Sequence, residues 1–384
     1  MSEREIAIAG VGMTRFTRQA DRGHRDLVEE AVTAALTHSG LAPSDIQATF
    51  CASVAGGAAI GQRTLKNLGL AGRPIVNVEN ACASGSTALI EAQAWLLAGF
   101  CDVALAVGVE ILSASRGPLA VRTPGETSWI FETGLNLPGW YALKASRHMN
   151  EHGLTLEQLA SVVVKNRRLA TLNPYAHFRS EVTAEEVLGS PMIASPLTLY
   201  QCCPKVDGAA AVIVCTADFA ARHGLTPVWV RARALTSGTQ VFTDAPEPAD
   251  GAHRAAALAY ERAGLGPEDL DVAECHDAFS IGEILYTEAL GLCADGDGGR
   301  YIAEGSTSPG GKGPVVNPSG GLLSRGHPLG ASGLGQVAEV VWHLRGEAGS
   351  RQVPEARIGA VHTMGGSEFE LDSNACSVHI LERA

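Results

Sequence analysis

Ala34-Ala35-Leu36-Thr37-His38-Ser39-Gly40-Leu41-Ala42-Pro43-Ser44-Asp45-Ile46 and Leu258-Ala259-Tyr260-Glu261-Arg262-Ala263-Gly264-Leu265-Gly266-Pro267-Glu268-Asp269-Leu270 are two versions of one segment. Gly40, Pro43 and Asp45 recur at constant spacing as Gly264, Pro267 and Asp269. Each version predicts a helix closed by a glycine cap, a short turn and then a strand. A repeat of this kind is the signature of a duplicated unit. A second match sets Ala83-Ser84-Gly85 against Ala331-Ser332-Gly333 and continues to Glu91 against Glu339. The helix that follows His327 is therefore the counterpart of the helix that follows Cys82. A duplicated α/β half with an active-site loop at the same place in each copy puts Cys82 and His327 at facing helix N-termini.

The segment around Cys82 is Asn80-Ala81-Cys82-Ala83-Ser84-Gly85-Ser86. Before it, Arg73 to Val78 reads as a short strand; after it, Ser84 to Leu97 reads as a helix. The first turn of that helix has free backbone N–H groups and the positive end of the helix dipole, which favour a thiolate and can receive an oxyanion. Both duplicated helices are nearly apolar, with Ala88, Leu89, Ala92, Trp95 and Leu96 in one and Leu334, Val337, Val340 and Val341 in the other. Helices without a polar face predict burial on all sides.

With 384 residues, 46% of them apolar and 18% charged, the chain can bury a large core. No apolar run is long enough to span a bilayer, because the Ala81 to Leu97 stretch is interrupted by Glu91 and Gln93. The charged start Met1-Ser2-Glu3-Arg4-Glu5 is unlike a signal peptide. A cytoplasmic protein with no membrane partner is the expectation. The net charge of −12 argues against a nucleic-acid partner. Nine cysteines lack regular spacing, so free thiols and no metal site are expected.

From about Leu112 to Pro204 the strand and helix pattern is broken by an insertion with turn signals at Gly117-Pro118, Thr123-Pro124-Gly125, Leu137-Pro138-Gly139 and Asn173-Pro174. Between Lys144 and Arg179 basic residues outnumber acidic ones. In an acidic protein this excess, carried by Lys144, Arg147, Lys165 and Arg168 among others, is a candidate contact for phosphate groups, set against the plainer reading of a solvated helix face.

Downstream stand Glu274-Cys275-His276-Asp277-Ala278-Phe279, then Asn317-Pro318-Ser319-Gly320-Gly321 and Gly326-His327-Pro328, and near the end His362-Thr363-Met364-Gly365-Gly366. With the Cys82 segment these resemble the thiolase superfamily over the whole chain, most closely the branch related to sterol carrier protein x. The resemblance implies a layered αβαβα fold with two mixed five-stranded sheets and an inserted loop domain. Residues 1–111 and 205–227 would form the N-terminal half, 112–204 the loop domain and 228–384 the C-terminal half. It implies a coenzyme A-dependent acyltransferase that cleaves a 3-oxoacyl-CoA, with no bound cofactor and coenzyme A as co-substrate. Cys82 would carry the acyl group, His327 would be its base, and His276 would stabilise an oxyanion. Backbone N–H groups of Cys82 and of Gly365 or Gly366 would form a second oxyanion hole. It further implies a homodimer or higher assembly, and a small OB-fold and zinc-ribbon partner protein. One departure matters. Standard thiolases have a second cysteine for proton transfer, in a Cys-x-Gly or a His-Asp-Cys-Phe loop; this chain has Ala278 in one place and no cysteine in the other. His362 is the expected replacement, with Thr363 as its rival. Retro-aldol cleavage of a 3-hydroxyacyl-CoA, which needs no acyl-enzyme, and a non-catalytic acyl-CoA-binding subunit are the alternatives.

Overall fold

The two copies of the repeated segment fold alike. The helix His24–Ser39 ends at Gly40 with φ 72°, and Gly251–Ala263 ends at Gly264 with φ 66°, the left-handed conformation that glycine adopts without penalty. A 3-10 turn follows in each, Pro43–Asp45 and Pro267–Asp269. The aspartate closes it in both: Asp45 accepts from the Ala42 N–H and Asp269 from the Gly266 N–H, both at 2.8 Å.

The computed structural model describes residues 5–19, 21–113, 134–239, 250–366 and 373–384. The turns expected at Gly117-Pro118 and Thr123-Pro124-Gly125 lie outside the described residues. The main sheet contains β1 (Ile6–Met13), β2 (Ala48–Ala52), β3 (Ile75–Val78), β4 (Val103–Ile111), β5 (Asp207–Thr216), β6 (Val228–Thr236), β7 (Val272–Glu274), β8 (Val315–Val316), β9 (Ile358–Gly365) and β10 (Ala375–Arg383). The helices that bear on the site are α1 (His24–Ser39), α2 (Ser84–Leu97), α3 (Leu137–His152), α4 (Leu156–Ala170), α5 (Gly251–Ala263), α6 (Ser280–Ala289) and α7 (Leu329–Arg345).

Strand order in the N-terminal half is β3-β2-β4-β5-β1, and in the C-terminal half β8-β7-β9-β10-β6. The parallel and antiparallel pairings match strand for strand. The two five-stranded sheets read from sequence are not separate. They join at Ala7–Trp229 and Ile8–Val228, giving one ten-stranded hydrogen-bonded sheet. Because that junction is so short, the halves still face each other across a helical layer. Alternation along β4 shows it: Val103, Leu105, Val107 and Val109 pack outward with α1, while Ala104 and Ala106 pack inward with α2 and α7. On the far side Ala360, Val378 and Ile380 pack with α5. The layers are thus αβαβα.

Small residues on the inner face let helix and strand backbones approach. A Cβ at Gly85 would lie 2.6 Å from the Gly330 carbonyl oxygen, and one at Gly108 would meet the same carbonyl and lie 2.9 Å from the Ala331 Cα. α7 is buried almost throughout, as its apolar sequence predicts. α2 is not: Glu91 and Ala94 are exposed and Ile90, Trp95 and Leu97 are half-buried. This second half of α2 surfaces beside β3, the terminal strand of the sheet.

In the insertion, Leu137-Pro138-Gly139 is not a turn but the start of α3, with Asn136 accepting from the Gly139 N–H at 3.1 Å. Proline in a first turn loses no helical hydrogen bond.

Overpacking the crossing at Gly330 has a predictable effect. Gly108→Ala should destabilise the fold by about 1–3 kcal/mol and displace the start of α7. Chemical denaturation read beside activity checks this; a variant of unchanged midpoint and turnover would show that the contact has slack.

Candidate active site

Cys82 lies two residues ahead of α2 and His327 two residues ahead of α7, so the crossing of these helices brings the duplicated loops together. Side-chain ligand atoms of Cys82, His276 and His327 all lie within 4.8 Å of one another. The His276 and His327 rings meet edge to face, centroids 4.9 Å apart.

The Cys82 loop is tightly tied. Ala81 sits in the left-handed region at φ 48°, where a non-glycine residue is strained. The Ala83 N–H donates to Asn80 O at 3.1 Å, Ser84 N–H to Ala81 O at 3.0 Å, and Asn80 N–H to Ser84 Oγ at 2.8 Å. Val54, Leu112 and Leu329 form an apolar collar around the sulfur. Burial there pushes the Cys82 thiol up to about 12, although the N–H groups of Gly366 and of Cys82 itself favour its anion. Desolvation outweighs the helix end, so the resting group is a thiol and not the thiolate expected from the helix N-terminus alone.

His327 is the matching neutral base. Burial, with the Arg325 charge behind it, holds its pKa down to about 3. Its Nδ1 lies 2.7 Å from Ser332 Oγ, and that hydroxyl donates to Pro328 O at 3.0 Å. With the serine proton committed, the network assigns the imidazole proton to Nδ1. Nε2, buried and without a hydrogen-bond partner, is left with its lone pair free. The trio also has the composition of a site for a thiophilic cation, which needs a thiolate; burial opposes that form here.

The loop carrying His276 is held from three sides. Asn317, itself at φ 53°, accepts from the Cys275 N–H at 2.9 Å and donates to Glu283 at 2.8 Å. Asp277 accepts from Leu322 N–H at 2.6 Å and from Asn166 at 2.8 Å, an anchoring role rather than a basic one. Cys275 points to the opposite side, into the core against α5.

His362 does not face Cys82. Along β9, Ala360 and Met364 pack toward α5 and Val361 toward the central helices, so alternation puts His362 on the outer face. There its Nδ1 accepts from the His276 N–H at 3.5 Å, its Nε2 lies 3.3 Å from Cys376 Sγ, and its ring tilts against Tyr286. Thr363 faces inward, but its hydroxyl donates to Gln336 at 3.0 Å. Gly365 packs directly on the Asn80–Ala83 turn, and Gly366 presents its N–H to the Cys82 sulfur.

The four basic residues read as phosphate contacts part company. Lys165 is buried, paired with Glu283 and donating to Val316 O at 2.9 Å, so its charge is spent on the fold. Lys144 is half-buried, 5.9 Å from the Trp140 and Tyr141 ring centroids. Arg147 is exposed and pairs with Glu151. Arg168 is exposed, its guanidinium donating to Ser308 Oγ at 3.4 Å.

Sequence reasoning missed Glu110. Fully buried at the end of β4, its carboxylate accepts from the Val54, Ala55 and Gly330 N–H groups at 2.9, 2.8 and 3.1 Å and from Ser53 Oγ at 3.1 Å. It fastens the loop bearing Val54 to the start of α7. An acid ending an otherwise apolar strand was the available signal. Also missed was the aromatic wall from α3: Tyr141 stacks on Phe279 at 4.6 Å and its hydroxyl meets that of Tyr286 at 3.0 Å.

The chain is similar to known proteins over nearly its whole length. Residues 6–218 match the family described as "Thiolase, N-terminal domain", and residues 236–382 match "Thiolase C-terminal domain-like". The chain is 42% identical over 388 residues to an acetyl-CoA acetyltransferase of Methanothermobacter thermautotrophicus, covering 99% of this chain and 100% of that protein. It is 40% identical over 373 residues to the benzoylsuccinyl-CoA thiolase subunit BbsB of Thauera aromatica, 95% of each being covered. Sterol carrier protein 2 of Bos taurus is 39% identical over 386 residues, 94% of this chain and 70% of that protein. Among solved structures, an Ltp2-ChsH2(DUF35) aldolase superposes with a TM-score of 0.85 at 27% identity, covering 99% of this chain and 98% of that one. Human mitochondrial 3-ketoacyl-CoA thiolase superposes over the full length of both chains with a TM-score of 0.72 at 16% identity, a likeness of fold. The chain belongs to the thiolase family of acyltransferases.

Proposed function

We propose that this thiolase cleaves a 3-oxoacyl-CoA through an acyl group carried on Cys82, giving a shortened acyl-CoA and acetyl-CoA or another acyl-CoA. The observation that carries the reading is the convergence of Cys82, His276 and His327 within 4.8 Å. His327 Nε2 takes the Cys82 proton as the sulfur attacks the 3-keto carbonyl, so charge develops only when substrate is present. The N–H groups of Cys82 and Gly366 face the oxyanion of that addition, and His276 with protonated His327 faces the oxygen of the departing thioester. Coenzyme A is the acceptor of the acyl group and not a resident cofactor. Lys144 and Arg168, rather than Lys165, are the residues of the insertion proposed to meet its phosphates.

The likeness to an aldolase at 27% identity supports a second reading, retro-aldol cleavage of a 3-hydroxyacyl-CoA. Cys82 is dispensable in that reaction and free coenzyme A has no part in it. We further propose a homodimer built on β3. This end of the sheet has half-buried Ile75, Val76 and Val78 beside exposed Ala94 and Phe100, the latter 73% exposed, whereas β8 at the other end is buried. The names "subunit BbsB" and "Ltp2-ChsH2(DUF35)" support a partner subunit as well, and the kind proposed is the small OB-fold and zinc-ribbon protein that the resemblance implies.

Three outcomes follow. Cys82→Ala should leave the fold intact and abolish thiolysis, and mass spectrometry of the quenched wild-type reaction should find the acyl adduct on the Cys82 peptide. Cleavage by the alanine variant without free coenzyme A would establish the aldol reading instead. The protonation states give a pH signature in the free enzyme. A thiol held near 12 is a thiolate in a fraction that rises tenfold per pH unit, and His327, held near 3, does not titrate above about pH 5. Alkylation of Cys82 by iodoacetamide should therefore climb with unit slope in log rate from about pH 6 to 9. A plateau starting below pH 8 would reveal a resting thiolate–imidazolium pair. Finally, light scattering should give a dimer mass, and Val76→Lys should shift it toward monomer; a monomeric wild type would overturn the proposed interface.

A further inference from the structure

The reaction proposed above needs a group that protonates the departing carbon, and neither His362 nor Thr363 presents one to Cys82. The insertion supplies a candidate. Its Cys202-Cys203 segment runs antiparallel to the His276 loop: the Cys203 N–H donates to Ala278 O at 2.9 Å, and Cys202 bridges Phe279. Ala278 is the position where the thiolases of the resemblance can carry their second cysteine. Cys202 is extended, φ −117° and ψ 136°, and its thiol donates to Thr198 O at 3.4 Å. The Cys203 side chain packs against the cluster that holds Ala278, Phe279 and Tyr141 beside the site. It is half-buried, and charges on Cys82 and Asp277 act on it, while it acts in turn on Tyr141 of the aromatic wall.

We propose that Cys203 is the second catalytic thiol of this enzyme, filling from the insertion the place that Ala278 leaves empty in the His276 loop. This inference rests on the thiolase reading. In the first half-reaction Cys82 sulfur bonds to the keto carbon, its proton passing to His327. Collapse of the oxyanion breaks the bond between the α- and β-carbons; the electron pair goes to the α-carbon, which takes the proton from Cys203 Sγ. In the second half the Cys203 thiolate takes the proton of the incoming coenzyme A thiol. That sulfur attacks the acyl group, expels the Cys82 sulfur, and Cys82 recovers its proton from His327. Burial suits Cys203 to both steps: it keeps the thiol protonated until a carbanion forms and makes the thiolate a strong base for coenzyme A.

The test compares wild type with Cys203→Ala and with Cys203→Ala/Ala278→Cys. Two readouts are used: acetylation of Cys82 by acetyl-CoA, seen by mass, and exchange of the acetyl-CoA α-protons with deuterated solvent. Cys203→Ala should still acetylate Cys82 on long incubation, more slowly because coenzyme A must then leave as its thiolate, and should lose exchange and thiolysis by about a hundred- to ten-thousand-fold. The double variant, with its thiol back in the His276 loop, should recover at least a tenth of the exchange. Wild-type exchange in Cys203→Ala overturns the proposal, as does a complete failure of that variant to acetylate Cys82 on long incubation, or no recovery in the double variant. If the wild-type Cys82 itself takes no acetyl group, the thiolase reading has failed, a result distinct from all of these.

Discussion

The close crossing of α2 and α7 at the Gly330 carbonyl is the constraint on which the site depends. Two loops far apart in sequence can share one substrate atom only if the helices behind them nearly touch at their N-termini. Gly85, Gly108 and Gly330 leave no side chain at that crossing. Glu110 then holds the α7 end of the crossing from below, accepting the Gly330 N–H together with those of the Val54 loop. A carboxylate that receives several backbone donors is a rigid fastening, because each donor removed leaves a buried charge less satisfied.

Dryness is the second theme, and it changes the chemistry expected from the sequence. A cysteine at a helix N-terminus suggests a thiolate, yet the apolar collar and complete burial of both partners hold the pair as thiol and imidazole. The donors around the sulfur are then oriented before any charge exists, which is the arrangement that favours a transition state over a ground state.

The duplication, the strand at Ile75–Val78 and the helix at Ser84–Leu97 were legible in the sequence because each rests on local periodicity or on repeated turn chemistry, whereas the αβαβα layering came from the resemblance. Cys82, His276 and His327 were legible because motif context set them apart. What failed were questions of facing. Period-two alternation along β9 turns His362 outward and Thr363 inward, a distinction that the motif alone does not carry. Lys165 looked like part of a basic surface because charge counting cannot tell an outer helix face from an inner one. Glu110 was silent because its partner, the Gly330 N–H, is a contact between segments that no spacing rule connects.

Lys165 donates to Val316 O in β8, a strand buried at one end of the ten-stranded sheet, while β3 at the other end keeps half-buried and exposed side chains among the described residues. A sheet open at both ends can add copies head to tail without limit, as fibres do. With a single open end, pairing is exhausted once one neighbour has docked. A copy that paired on β3 would then meet no like strand exposed at the far end among the described residues, and growth through the sheet would stop at two.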